Sequence, residues 1–102
     1  MDRVAMLKEV LIQNPGDAFA RYGLALEYSN AGQYDVAVDE FRTLISCHPD
    51  YTPGYFMAAQ TMAKAGQSEE AKKMLKDGIA SAQRTGNQHA LSEMQAMLDD
   101  LG

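Results

Sequence analysis

The sequence predicts an all-α fold, a short right-handed solenoid of about six helices that form stacked helix-turn-helix pairs. The stretches "NAGQYDVAVDEF" (30–41) and "KAGQSEEAKKML" (64–75) share Ala-Gly-Gln and an alanine five residues after the glycine. The two glycines are 34 residues apart, and a fixed period of this length is typical of stacked helical repeats. No β-branched run alternates apolar with polar residues, so strands are not expected.

The same 34-residue offset joins further identical or similar residues along the chain. These pairs are Pro15/Pro49, Tyr22/Phe56, Ala25/Ala59, Ala37/Ala71, Phe41/Leu75 and Ile45/Ile79. A single helix pair has an apolar face that it cannot bury alone, so a repeated pair predicts stacking of one pair on the next.

Helix ends are predicted by local signals between the periodic segments. The glycine of each Ala-Gly-Gln is expected in a left-handed conformation that closes one helix before the next begins. His48-Pro49 should end another helix, because the residue before proline avoids the α region. Thr52 is predicted as an N-cap with Pro53 as the first helical residue, and a further helix should begin at Ser68.

Two further helices are predicted at the ends of the chain. "RVAMLKEVLIQNP" has the pattern of the second helix of an incomplete repeat, and "GNQHALSEMQAMLDDL" that of a terminal helix with Asn87 as its N-cap. One face of the terminal helix should pack on the stack and the other should face water. The apolar face comprises Ala90, Leu91, Met94, Met97, Leu98 and Leu101. The expected organisation is one domain: a partial repeat (1–15), repeat 1 (16–50), repeat 2 (51–84) and a capping helix (86–102).

Composition limits the classes of partner. The formal net charge is −5 and the basic residues are scattered, which argues against nucleic acid and anionic membranes. The chain has one cysteine, and the N-terminal segment has no apolar signal core. We therefore expect an unexported, cytoplasmic protein that uses neither nucleic acid nor a membrane.

This pattern resembles the tetratricopeptide repeat (TPR) family, whose 34-residue repeat has a W-x2-L-G-x2-Y…A-x3-F…P signature. Repeat 1 carries the signature at Arg21, Leu24, Ala25, Tyr28, Ala37, Phe41 and Pro49. Repeat 2 carries it at Tyr55, Ala58, Ala59, Met62, Ala71 and Leu75. Arg21 replaces the usual Trp, where its aliphatic stem can cover apolar surface. Gln83 replaces the closing Pro, which suggests that the array ends there.

The resemblance implies a non-enzymatic interaction module that binds a peptide or helix of a partner protein in a concave groove. The first helices of the repeats would line this groove. Its candidate residues are Phe19, Tyr22, Leu26, Ser29, Asn30, Phe56, Gln60, Ala63 and Lys64. Aromatic side chains at these positions favour apolar ligands over the terminal carboxylate that some TPR domains hold with Lys, Asn and Arg. The alternative for each aromatic residue is internal packing, with Phe19 and Tyr22 on the N-terminal helix and Phe56 on Tyr22.

A different reading of the same surfaces is self-association, as a homodimer through the aromatic groove or the terminal helix. Catalysis has little support, because neighbouring residues on a helix such as Cys47 and His48 point about 100° apart. A buried cysteine and a helix-terminal histidine are expected instead. His89 is expected at the surface. The sequence predicts no metal site and no cofactor, since it has neither clustered ligands nor a glycine-rich phosphate loop.

Overall fold

The computed structural model describes residues 2–102, which form six α-helices joined by short turns. They are α1 (Arg3–Gln13), α2 (Ala18–Asn30), α3 (Tyr34–Cys47), α4 (Thr52–Lys64), α5 (Ser68–Thr85) and α6 (Gln88–Leu101). Each helix packs against the next in the chain, and residues 2–102 contain no strand. The prediction of an all-α repeat solenoid with six helices is confirmed.

The two Ala-Gly-Gln turns close their helices with the same pair of hydrogen bonds. Gly32 N–H donates to the Ser29 carbonyl at 3.0 Å, and Gln33 N–H donates to the Tyr28 carbonyl at 2.9 Å. In the second turn the donors are Gly66 and Gln67, at 3.1 and 2.8 Å. Gly32 and Gly66 have φ values of 78° and 80°. The left-handed glycine is therefore confirmed in both repeats, where it satisfies carbonyls left free by the helix end.

The helix starts follow the prediction at α6 but not at α4. The Asn87 side chain caps α6 by accepting from Ala90 N–H at 3.0 Å. Thr52, predicted as an N-cap, is instead the first residue of α4, and Tyr51 is the N-cap. The prediction was wrong because the Thr52 hydroxyl bonds to that of Ser81 on α5 at 2.9 Å, in the protein interior.

The core runs as one cluster through the stack. Its largest fully buried side chains include Phe41, Leu44, Met62, Leu75 and Met94. Alanines occupy several of its fully buried positions, and Ala25, Ala37, Ala59 and Ala71 have no exposed surface. The alanine that follows each Ala-Gly-Gln is therefore a core residue, as the repeat predicts.

α6 meets the stack with a different face from α2 and α4. α5 has 18 residues and α3 has 14, so the connection from α5 to α6 does not repeat the one from α3 to α4. Met94 is fully buried, whereas Leu26 and Gln60, which precede it at 34-residue spacings, are only half-buried. Met94 packs against Gly78, where a Cβ atom would also come within 2.6 Å of Tyr55 Cβ. The absence of a side chain at Gly78 thus allows α6 to close the core.

Helix contacts define the curvature of the stack. Cα atoms of α2 and α4, and of α4 and α6, come within 8 Å of each other, whereas no Cα atom of α3 lies that close to one of α5 within residues 2–102. The first helices are therefore closer together than the second helices. α2, α4 and α6 form the inner, concave side, and α3 and α5 form the outer side.

Two other predicted positions have different outcomes. Arg21 is largely covered and its Nη1 lies 2.7 Å from Glu40 Oε1 on α3, so an ion pair with an apolar stem replaces the usual Trp. Cys47 was predicted to be buried, and this is wrong: it is exposed as the last residue of α3. His48 is the C-cap of α3, as expected for a helix-terminal histidine.

Replacing Gly66 with alanine should destabilise the fold by about 1–2 kcal/mol, because only glycine takes a left-handed φ without strain. A Cβ atom there would meet no other atom within 4 Å, so crowding cannot explain a loss. Urea unfolding measures the effect, with Gly16→Ala as the control, since Gly16 does not have a positive φ. Equal stability of the two variants would contradict the role of Gly66 in closing α4.

Candidate functional site

The N-terminal halves of α2, α4 and α6 surround a pocket of about 260 Å³ on the concave side. Its lining combines apolar side chains with the exposed polar residues Asn87, His89 and Glu93, and no Lys or Arg is part of it. The lining residues are Tyr22, Thr52, Pro53, Phe56, Met57, Asn87, His89, Ala90 and Glu93.

Tyr22 and Phe56 each present one side to the core and one to the pocket. Tyr22 is half-buried, with its ring centroid 5.3 Å from that of Tyr51 and 6.4 Å from that of Phe41, which it meets edge-on. Phe56 is also half-buried and packs on the core cluster. Core packing therefore fixes both rings while leaving part of each accessible from the groove.

Equivalent positions of the three inner helices all contribute to the pocket lining. Tyr22, Phe56 and Ala90 follow one another at 34-residue spacings and all line it. The groove prediction from the sequence included the first two and missed Ala90, although continuing the same register would have found it. It also missed His89 and Glu93, for which the register gave no signal, because α6 is turned relative to α2 and α4.

The other predicted groove residues lie in different environments. Phe19 is 75% exposed, and Leu26, Gln60 and Ala63 are half-buried. Asn30 and Lys64 are exposed at the C-terminal ends of α2 and α4. The groove candidates therefore change from aromatic to polar along the helix axes.

Ser29 is the exception among these candidates. It is 7% exposed, and its hydroxyl lies 2.8 Å from that of Thr61 on α4. This buried hydrogen bond fixes α2 against α4, so the Ser29 side chain is not available to a ligand in the groove.

One carboxylate, that of Glu93, is part of the pocket lining, and no Lys or Arg is. Glu93 Oε1 lies 3.5 Å from His89 Nε2, and the two side chains are 47% and 87% exposed. Glu93 therefore gives this edge of the pocket an acidic group.

A larger cleft of about 730 Å³ lies on the outer side between α3 and the start of α5. Its lining is charged and includes Asp35, Asp39, Glu69 and Glu70, together with Arg42, whose Nη2 lies 3.7 Å from Glu70 Oε2. No group of three or more potential metal-ligating side chains occurs within residues 2–102. This cleft has no aromatic residue, unlike the concave pocket.

His48, the histidine of the Cys47-His48 pair, forms a hydrogen bond with the backbone of the α1–α2 turn. His48 Nε2 lies 3.0 Å from the Gly16 carbonyl oxygen, and because a carbonyl only accepts, this nitrogen carries the proton. The ring therefore joins the α3–α4 turn to the α1–α2 turn.

None of the described helices combines the length and apolar character required to cross a bilayer.

Comparison with known proteins identifies the class. A tetratricopeptide-repeat family model matches residues 30–97, about two thirds of the chain, so the chain belongs to the TPR family. A TPR repeat-containing protein of Pseudomonas aeruginosa is 26% identical over 95 residues, which cover 93% of this chain and 90% of that protein.

Solved structures share the same architecture. A protein of Bordetella parapertussis has a TM-score of 0.85 and 25% identity, over 99% of this chain and 88% of that one. The type III secretion chaperone SycD of Yersinia enterocolitica, in complex with a peptide of the translocator YopD, has a TM-score of 0.86. It is 18% identical, over 96% of this chain and 76% of that one, so it shows the fold alone. These matches indicate no enzymatic family.

The stability of the fold should decrease at alkaline pH in part through Tyr22. Burial and then the neighbouring Tyr51 raise the pKa of Tyr22, so the folded state favours the neutral phenol. This contribution is complete below the unfolded pKa of about 10 and is lost as the pH rises through the higher folded value. Urea unfolding from pH 9 to 12 should therefore show a smaller loss for Tyr22→Phe than for the wild type. Tyr34→Phe on α3 is the control, and a pH dependence of Tyr22→Phe equal to the wild type would contradict this.

Proposed function

We propose that this protein is a non-enzymatic cytoplasmic adaptor that binds a peptide or helix of a partner protein in its concave groove. The observation that carries the proposal is the pair of half-buried aromatic rings, Tyr22 of α2 and Phe56 of α4, that line the concave pocket. Phe19, one turn before Tyr22 on α2, is 75% exposed. Accessible aromatic side chains grouped in this way are typical of binding surfaces.

The packing of the aromatic rings in the pocket favours binding at a low entropic cost. Tyr22 packs between Phe41 and Tyr51, so its orientation is set before a ligand arrives. Rigid aromatic side chains lose little rotamer freedom on binding and are enriched among residues that dominate interface energetics. Preorganised rings are therefore suited to anchor a partner.

The fold is compatible with this use. SycD, which has the same fold, is described in complex with a peptide of YopD. For this chain we propose that Phe19, Tyr22, Leu26 and Phe56 provide apolar contacts and that Asn30, Gln60, Ala63 and Lys64 continue the groove. Ser29 would act only by fixing α2 to α4.

Replacing both Tyr22 and Phe56 with alanine should weaken peptide binding at least tenfold, because anchor residues typically contribute about 2 kcal/mol or more each. Peptides selected on the wild-type protein from a display library provide the probe, and fluorescence anisotropy gives the dissociation constants. Tyr34→Ala, a half-buried tyrosine on α3, is the matched control.

Two results would contradict the groove proposal. One is affinity within twofold of wild type in a double variant that circular dichroism shows to be folded. The other is an equal loss in Tyr34→Ala, which would place the binding surface elsewhere or reveal a general loss of stability.

Self-association is the second candidate function, and the exposed face of α1 favours it. α1 contains no buried residue, and Met6, Val10 and Ile12 are 50%, 37% and 70% exposed. On α3, the residues equivalent to Met6 and Val10 are Glu40 and Leu44. Glu40 pairs with Arg21 and Leu44 is fully buried. α1 thus exposes apolar side chains at positions where α3 has a paired glutamate and a buried leucine. α6 presents no large apolar side chain to solvent.

Light scattering across a range of concentrations separates the two candidates. The groove proposal predicts a mass near the 11.2 kDa of one chain at every concentration. Self-association through α1 predicts a mass near twice that value, which Met6→Lys with Val10→Lys should return to that of a monomer. A dimer that survives both substitutions would exclude the α1 face as its interface.

A further inference from the structure

The concave pocket has the dimensions of a side-chain site. Its volume of about 260 Å³ is just below the roughly 300–1,000 Å³ of pockets that hold a drug-sized ligand. It is therefore suited to one or two side chains of a protein segment that crosses α2, α4 and α6.

The apolar lining of the pocket favours apolar groups. Pro53, Phe56, Met57 and Ala90 provide this lining. The hydroxyl of Thr52, also part of the lining, is already bonded to Ser81. A polar side chain packed against these residues would leave its own polar atoms without partners, which is unfavourable. An aromatic or branched aliphatic side chain would bury its surface there without this penalty.

The rim adds a charge. Within residues 2–102, the only group within ion-pair distance of the Glu93 carboxylate is His89, which is itself 87% exposed. No Lys or Arg lines the pocket, and the whole chain carries a net charge of −5. The partner of this rim should therefore be cationic.

The helix N-termini at this end have some of their first-turn donors paired or absent. Asp17 accepts from Ala20 N–H at 2.9 Å in α2, and Asn87 accepts from Ala90 N–H at 3.0 Å in α6. In α4, Pro53 has no N–H to offer in the first turn. These features reduce the number of backbone donors that an anion could use here.

We propose that this pocket holds an apolar side chain of the partner segment and that Glu93 pairs with a Lys or Arg adjacent to that anchor. The inference rests on the proposed function and specifies its ligand: an apolar residue next to a basic residue. Because an ion pair at a partly exposed rim contributes at most about 1 kcal/mol, the expected preference for a basic over an acidic neighbour is about threefold to fivefold.

Two small probes test the inference directly. N-acetyl-phenylalanyl-lysine amide and N-acetyl-phenylalanyl-glutamate amide are titrated into ¹⁵N-labelled protein, and the shifts of the Phe56 and Ala90 amides give their dissociation constants. The same titrations use Glu93→Lys and, as a control, Glu70→Lys. The Glu70 and Glu93 side chains are 48% and 47% exposed, so both substitutions change the net charge equally at similar exposure.

The wild type should bind the lysine probe about threefold to fivefold more tightly than the glutamate probe. Glu93→Lys should reverse this preference and Glu70→Lys should retain it. Equal affinities for the two probes, or the same reversal in Glu70→Lys, would overturn the role of Glu93 while leaving groove binding intact.

Absence of shifts at Phe56 and Ala90 with both probes would overturn the side-chain pocket itself. The display-selected peptides would then decide the proposed function separately, because they cover the whole groove rather than this one pocket.

Discussion

Close approach of helices at buried alanines is the constraint on which the structure depends. Ala25, Ala37, Ala59 and Ala71 have no exposed surface, and a larger side chain at any of them would separate the helices that they join. The backbones of α2, α4 and α6 lie closer together than those of α3 and α5. This difference in spacing curves the stack, and the concave groove lies on the inner side of the curve.

The candidate site depends on how the stack ends. α6 is turned relative to α2 and α4, because Met94, which packs on Gly78, is buried where its equivalents Leu26 and Gln60 are half-buried. Glu93 consequently lines the pocket beside Ala90, although its equivalents Ala25 and Ala59 are buried. The pocket is therefore regular on its α2 and α4 sides and irregular on its α6 side. In our proposal, the regular part provides the affinity for an apolar side chain and the irregular part provides the charge preference.

The sequence predicted those features that local chemistry controls. The left-handed Gly32 and Gly66, the Asn87 cap and the six helices follow from residue types at fixed spacings. Tertiary contacts decided the rest. Thr52 and Ser29 have the residue types of a cap and a groove contact, yet buried hydroxyl partners on neighbouring helices hold both. Glu93 could not be placed, because its position depends on the turn of α6 and not on the 34-residue period.

The most direct test of the groove uses the methionines of the chain as reporters, since they occupy distinct environments. Met57 lines the pocket, Met62 lies in the core and Met6 is exposed on α1. Protein labelled at the methionine methyl groups is titrated with a display-selected peptide and followed by NMR. If the peptide binds the concave groove, the Met57 methyl signal should shift in proportion to occupancy while that of Met6 remains in place. A shift at Met6 with no change at Met57 would contradict the account and would locate the binding surface on α1.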